Sequence, residues 1–374
     1  MSSSFFRRGE SVPYVPLATS PSPDPLKRPF KSRYIFAALL TLLVSLGLNI
    51  TLIIQSRYDN ANPLDNYQAL NNQTLLAEDS PRILADPSRH AIVTTLYDDN
   101  FAPAVATLGY SLRKVNSHAR LIVLYIPSQV SSHALCIASS TGFEPHPVDR
   151  IAPPHDGQGV YYHFVDQYTK LKLWTLDDLG IESLVYLDAD TLVKQNFDEL
   201  FALPWNFAAS PDVFLNRKGF TLSFNAGVLF LHPNTTTFNH MVSQLASASY
   251  PPGDAEQSFL NHYFGAESLR LPYSYNYNLA IKKRAPLLWD TLWNEAKVVH
   301  FTLAKPFLAM PNYVGVAWDE MEAHVKKQAI EWYGGLFNKE IRWWGELFAE
   351  MKTVHEVELG TCWTGNNSTS RTIS

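Results

Sequence analysis

Two acidic residues, Asp188 and Asp190, follow directly on the apolar run SLVYL at 183–187. An Asp-x-Asp triplet is common in solvated turns, so the pair says little by type alone. At the end of a buried strand it has a sharper use, because two carboxylates there hold a hard divalent cation. Such a cation would neutralise a nucleoside diphosphate as it leaves a sugar. His300, in KVVHFTLAKPF, reads by itself as a core histidine on a strand. Lys305 follows in the same apolar stretch, which has no structural need of an ammonium. A third metal ligand followed by a diphosphate-binding lysine accounts for both. Imidazole ligation inclines the cation to Mn²⁺, with Mg²⁺ as the alternative.

The elements that would carry these residues alternate in type. The β-branched run 91–97 predicts a buried strand, ended by Asp98, Asp99 and Asn100. Residues 102–115 predict a helix, with Pro103 tolerated near its start. A strand over 121–127 and a helix near 131–139 follow. Residues 164–179 read as an amphipathic helix and 183–188 as the next strand. This alternation points to a parallel, doubly wound α/β sheet, in which ligands bind at the carboxyl ends of strands. Asn196 and Glu199 have capping-box spacing for a short helix. The Trp-rich stretch at about 317–352 predicts two helices broken at Gly334-Gly335, and the chain from Thr361 reads as a disordered tail. The Trp-rich stretch is expected to pack on the domain before it. An acceptor platform and a membrane-surface contact are its alternatives.

The run from Tyr34 to Ser56 has no charge. At about 1.5 Å per residue it exceeds the roughly 30 Å of a bilayer core, so it predicts a signal anchor. Arg7, Arg8, Lys27, Arg28, Lys31 and Arg33 lie before it, which puts residues 1–33 in the cytosol and the rest in the lumen. The expected order is a tail (1–33), a span (34–56), a stem (57–88), a catalytic domain (89–312), a helical region (313–360) and a second tail (361–374). Sequons at Asn72, Asn234, Asn366 and Asn367 agree with a luminal domain. The two cysteines, Cys136 and Cys362, exclude a disulfide scaffold and a cysteine-built zinc site, and their pairing stays open. The formal net charge of −5 argues against a nucleic-acid partner. The oligomeric state is left open.

Five segments in order, YTKLKLW, LVYLDADTLVKQNFDELF, FNAGVLFLHP, DAEQSFLNHYF and KVVHFTLAKPF, resemble glycosyltransferase family 8 over about residues 90–310. Within it, the chain is similar to the glycogenin and galactinol synthase branch. The resemblance implies a GT-A, Rossmann-like fold and a retaining transfer of a hexosyl or N-acetylhexosaminyl group. The donor would be a UDP-sugar used with Mn²⁺, and the acceptor a luminal glycan or other hydroxyl. It places Asp188, Asp190 and His300 on the metal and Ala189 against the ribose. Lys170 and Lys305 fall near the donor diphosphate. Asn225, Glu256 and Gln257 line the sugar and reacting face, and Thr95, Tyr97, Asp98 and Phe101 the uridine edge. The chain departs from the pattern at Tyr97-Asp98, where glycogenin has Thr-Asn, and no arginine is evident just upstream of YTKLK. Retention allows two routes: a Glu256 nucleophile, or front-face attack with the leaving phosphate taking the acceptor proton, which is preferred. A Golgi or ER location follows from the anchor. The alternatives are a non-catalytic sugar-nucleotide-binding or partner-binding protein, and a glycogenin- or galactinol synthase-like enzyme with an added anchor.

Overall fold

A computed structural model describes residues 30–59, 86–216, 218–309 and 313–364. They fall into two compact units, one within Met1–Ala61 and one within Asn62–Ser374. The first is the helix α1 (Phe30–Asp59). Its segment Tyr34–Ile54 is long and apolar enough to cross a membrane, in agreement with the expected span. Leu42, Leu43 and Leu46 are exposed on it. Residues 1–29, most of the expected stem and the sequons at Asn72, Asn366 and Asn367 lie outside the described residues.

The second unit is built on a seven-stranded sheet ordered β3-β2-β1-β4-β7-β6-β8. Its strands are β1 (His90–Leu96), β2 (Arg120–Tyr125), β3 (Glu144–Pro147), β4 (Ser183–Leu187), β6 (Phe207–Val213), β7 (Phe220–Leu231) and β8 (Leu269–Arg270), with β5 (Thr191–Val193) lying outside it. Helices α2 (Ala102–Lys114) and α3 (Ser132–Ser139) connect the first strands, within a residue or two of the expected bounds. The half containing β1 to β4 is parallel, as expected of crossover connections. The other half is a correction. β7 pairs antiparallel with both β4 and β6, because β6 and β7 are joined by a tight connection rather than a helix. Side chains alternate between two cores. Ile92, Leu121, Val123 and Val185 face one with α2, while Ala91, Val93, Ile122 and Leu124 face the other.

That second core is covered by the segment Gln167–Leu179, expected as an α-helix and found as a 3₁₀-helix. Its buried residues explain the difference. Tyr168, Leu171 and Trp174 form one row at three-residue spacing, and Lys170, Leu173 and Leu176 another. Side chains three apart eclipse in a 3₁₀-helix, so both rows face inward together. Helices α4 (Thr235–Gln244) and α5 (Ala255–Phe264) complete this face. Asn234, an exposed sequon residue, caps α4 by accepting from Thr237 N.

A three-stranded sheet, β5-β10-β9, uses β5, β9 (Tyr277–Asn278) and β10 (Val298–His300). Short helices α6 (Leu279–Arg284) and α7 (Pro286–Leu292) link β9 to β10. The expected capping box is not formed. Asn196 caps the Asp198 amide, and Glu199 is drawn away to the Tyr275 hydroxyl and Lys297. A small hairpin of β11 (Leu308–Ala309) and β12 (Val314–Gly315) then leads to α8 (Met321–Glu331) and α9 (Asn338–Val354). The break between these helices falls at Gly334 and Gly335, both at positive φ. Trp344, Phe348 and Met351 of α9 are buried, so the Trp-rich stretch packs on the domain as expected.

The helical region expected over 313–360 extends four residues further than its expected end. Thr361 to Thr364 are not a loose tail but the end of α10 (Glu356–Thr364), and residues 365–374 lie outside the described part. Helix α10 is held by a disulfide from Cys362 to Cys136 in α3, with Cα atoms 5.5 Å apart. His133 and Trp318 pack on Trp363 beside it. Replacing both cysteines by serine is expected to lower stability by about 2–4 kcal/mol. Denaturant unfolding of the full chain in detergent measures this, and two titratable thiols in the native protein would disprove the bridge.

Candidate active site

The carboxyl end of β4 delivers Asp188, which turns back at once into β5. The backbone and side chain of Thr191 both bond to the Asp188 carbonyl, fixing that turn. Strand β10 runs antiparallel to β5 with His300 opposite Thr191, and Phe301 N donates to the Asp190 carbonyl. This pairing sets His300 Nε2 3.2 Å from Asp190 Oδ1 and 3.8 Å from Asp188 Oδ2. One ligand atom from each residue lies within 4.8 Å of the others. Gly227 makes room for the ring, since a Cβ there would lie 2.1 Å from His300 Cε1.

The donor set fits a divalent cation. Asn276 gives its amide to Asn225 Oδ1, so its own Oδ1 faces His300 Nδ1 at 3.0 Å. Nδ1 therefore donates, and Nε2 keeps a lone pair directed at the carboxylates. Asp188 Oδ1 is engaged by the Tyr186 hydroxyl at 2.5 Å and Lys170 at 3.2 Å, which leaves Oδ2 for the cluster. Asp190 Oδ2 pairs with Lys305. Burial opposes ionisation of Asp190, but Lys305 and His300 outweigh it and hold its carboxyl well below the usual range.

Lys170 is buried under this cluster. Its ammonium reaches Glu256 Oε1 at 2.7 Å, Asp188 Oδ1 at 3.2 Å and the Ala226 carbonyl at 3.2 Å, and stands 4.7 Å from the Tyr186 ring. An ammonium has three protons, and each has an oxygen. Burial disfavours its charge, yet Asp188 and Glu256 raise its pKa overall. For Glu256 the balance is reversed, and burial pushes its carboxyl up despite Lys170.

A second carboxylate group, missed in the sequence, surrounds Asp212 near the end of β6. It is buried, accepts from Val213 N at 2.8 Å, Asn225 Nδ2 at 3.2 Å and Gln257 Nε2 at 2.9 Å, and burial raises its pKa. Gln257 also accepts from Ala226 N at 2.9 Å, and Asn225 from Gly227 N at 3.0 Å. Thus Asn225, Gln257 and Asp212 form one network joined to the metal cluster through Asn276. Asp212, Asn276 and Tyr186 had no flag beyond a polar group at the end of an apolar strand.

The remaining expected residues lie around this centre. Thr95 bonds to the Tyr186 hydroxyl at 3.0 Å, and Tyr97 is largely covered. Asp98 is exposed and caps the turn Asp99–Phe101, while Phe101 packs edge-on against Phe307. Ala189 is buried between the two aspartates. The loop 150–166 has its ends tied by an Arg150–Asp166 pair at 2.5 Å. It holds His155 and Asp156 at positive φ and stacks His163 on Tyr313. Tyr161 lies beside Gly253, and burial, then the charge of Lys305, lowers the His163 pKa.

A parallel half-sheet whose strand β4 leads into two aspartates, met by a histidine from β10, gives a mixed α/β fold with a group able to hold a divalent cation. The comparisons name the family. The profile of Glycosyl transferase family 8 matches residues 92–310, more than half of the chain. The chain belongs to glycosyltransferase family 8. It is 32% identical to inositol phosphorylceramide glucuronosyltransferase 1 of Arabidopsis thaliana over 48% of this chain and 31% of that protein. It is 26% identical to galactinol synthase 1 of Solanum lycopersicum over 70% and 82%. It is 31% identical to UDP-glucuronate:xylan alpha-glucuronosyltransferase 2 of Arabidopsis thaliana over 48% and 28%. The chain thus spans less than a third of the two glucuronosyltransferases it matches. Among solved structures, the galactosyltransferase LgtC matches with a TM-score of 0.43 at 18% identity, over 70% of this chain and 95% of that one.

Asn276→Ala is expected to weaken divalent-cation binding by about 10–100-fold, because Nε2 loses its fixed orientation. Titration of Mn²⁺ followed by the spin resonance of the free ion measures it, with circular dichroism to show the fold retained. Unchanged affinity would remove Asn276 from the metal-binding argument.

Proposed function

We propose that the chain transfers a hexosyl or N-acetylhexosaminyl group from a UDP-sugar to a hydroxyl of a luminal glycan or similar acceptor, with retention at the anomeric carbon. The observation that carries this reading is the Asp188, Asp190 and His300 cluster at the carboxyl end of β4, with Nε2 held open by Asn276. These three residues would hold the cation, and one imidazole among two carboxylates favours Mn²⁺. When bound, the ion supplies positive charge to the diphosphate that leaves. A relative named for a UDP-glucuronate donor supports a UDP-sugar here.

The residues divide the remaining work. Lys305 pairs with Asp190 beside the cluster, and its charge would stabilise the leaving diphosphate. Lys170 acts through others: it fixes Asp188 and Glu256 by spending all three protons on the protein. Asp212, Asn225 and Gln257 offer carboxylate and amide atoms to the sugar hydroxyls. Thr95, Tyr97, Asp98 and Phe101 edge the nucleoside and Ala189 its ribose. Tyr161 and Tyr162, 59% and 74% exposed on the 150–166 loop, form a wall for the acceptor. In the transfer, the acceptor oxygen bonds to the anomeric carbon as the bond to the β-phosphate oxygen breaks. The acceptor proton passes to that phosphate oxygen, and UDP departs. Glu256 is buried and clamped by Lys170, which suits it to position the reacting face rather than to attack.

The single span with basic residues before it, and a disulfide that needs an oxidising compartment, support a type II Golgi or ER protein with a luminal, glycosylated domain.

The test is UDP release by the full chain in detergent, across a panel of UDP-sugars with Mn²⁺. Activity is expected with at least one donor, lost with Asp190→Ala or excess chelator and restored by Mn²⁺. Full turnover in chelator would sink the metal role, and no release from any donor would support a non-catalytic binding protein instead.

Glu256→Gln separates the two retaining routes. Turnover is expected to fall about 10²-fold, the size of a misplaced substrate, without a covalent intermediate. A glycosyl–Glu256 adduct in the intact mass spectrum would establish double displacement.

A further inference from the structure

Helix α9 presents one face outward. Asn338, Lys339, Arg342, Trp343 and Glu346 stand at positions that share a helix side, opposite the buried Ile341, Trp344 and Phe348. With Trp293 they line a cavity of about 390 Å³. The Trp293 and Trp343 rings meet nearly at right angles, 84°, with centroids 6.2 Å apart. Two ammonium groups lie over Trp293, Lys194 at 5.2 Å and Lys339 at 4.5 Å.

Cations outnumber anions there, with Glu346 as the one acid in the lining. Among the described residues, no carboxylate is within ion-pair distance of Lys194, Lys339 or Arg342. Glu346, a turn beyond Arg342, pairs with none of them. Burial, and then repulsion from Lys339, lowers the Lys194 pKa. Two ammoniums that share the Trp293 ring and repel each other, with Arg342 in the same cavity lining as Lys339, cost free energy that an anion would return. Lys194 directly follows β5 and lies four residues beyond Asp190, about 13 Å along an extended chain at roughly 3.3 Å per residue. The cavity is therefore separate from the metal cluster.

From this cluster we infer a second binding site, for an anionic saccharide. Its carboxylate or sulfate groups bridge Lys194, Lys339 and Arg342, while a sugar ring lays its C–H face on Trp343. A concave corner of this volume suits one or two sugar residues better than a flat lipid surface. The site would hold the charged part of a chain away from the point of transfer.

Isothermal titration of the full chain in detergent with tetragalacturonate tests this without turnover, so its result is independent of the donor and metal assignments. Binding is expected to be salt-sensitive and absent with neutral maltotetraose. The double variant Lys339→Glu/Arg342→Glu removes two charge-assisted contacts and adds two repelling charges, and should weaken binding by about a hundredfold or more. Melting temperature and UDP release should stay as in the parent. Trp343→Ala, which keeps the charges, should also weaken binding. Equal tetragalacturonate binding by the parent and the charge variant would overturn the site. Tetragalacturonate binding no tighter than inorganic phosphate would reduce it to a bare anion site and overturn the saccharide assignment.

Discussion

The centre depends on charge balance among buried groups. Asp188, Asp190 and Glu256 crowd against one another, and two or three carboxylates together out of water are strongly disfavoured without cations. Lys170 bridges Asp188 to Glu256, and Lys305 pairs with Asp190. The same pairs fix orientation: with Asp188 Oδ1 taken by Lys170 and Tyr186, its other oxygen is left facing His300. Asp212 shows the opposite solution. No cation is paired with it among the described residues. Burial raises its pKa, and the amide donors around it only partly offset that.

Local pattern carried the parts of the fold that are local. Strands β1, β2 and β4 and helices α2 and α3 are short runs with clear periods and stops, and they stand close to where those signals put them. The Asp188/Asp190 pair was legible for the same reason, as acids at the end of a strand. His300 depends on a pairing between segments more than a hundred residues apart, and the residues around it needed the motif order to be noticed. Asn276 and Asp212 had no motif. Their roles exist only because β9 meets β10 and β6 meets α5, and such non-local contacts leave no periodic trace.

The misreadings have a common cause. The segment Gln167–Leu179 has an acceptable helical pattern, but two inward rows of side chains, with Lys170 in one of them, fit three residues per turn. Asn196 and Glu199 have the right spacing for a cap, but Lys297 and Tyr275 supply stronger partners from across the fold. Residues 361–364 look polar and loose in sequence, but Cys362 meets Cys136. In each case a tertiary partner outbids the local preference.

The same logic separates the rigid from the adjustable parts of the site. The metal cluster, Lys170 and the Asp212 network are buried and mutually hydrogen-bonded, so moving one of them would strand a polar group in a dry place. The 150–166 loop is tied at its ends by Arg150 and Asp166, but Tyr161 and Tyr162 face water and His163 touches Tyr313 by ring contact alone. Ring stacking is worth about 0.5–1.5 kcal/mol beyond area burial, a small barrier to displacement. Chemistry that must be the same for every acceptor thus rests on the fixed group. The tyrosine-bearing loop is the part beside it that can be substituted without disturbing the charges beneath.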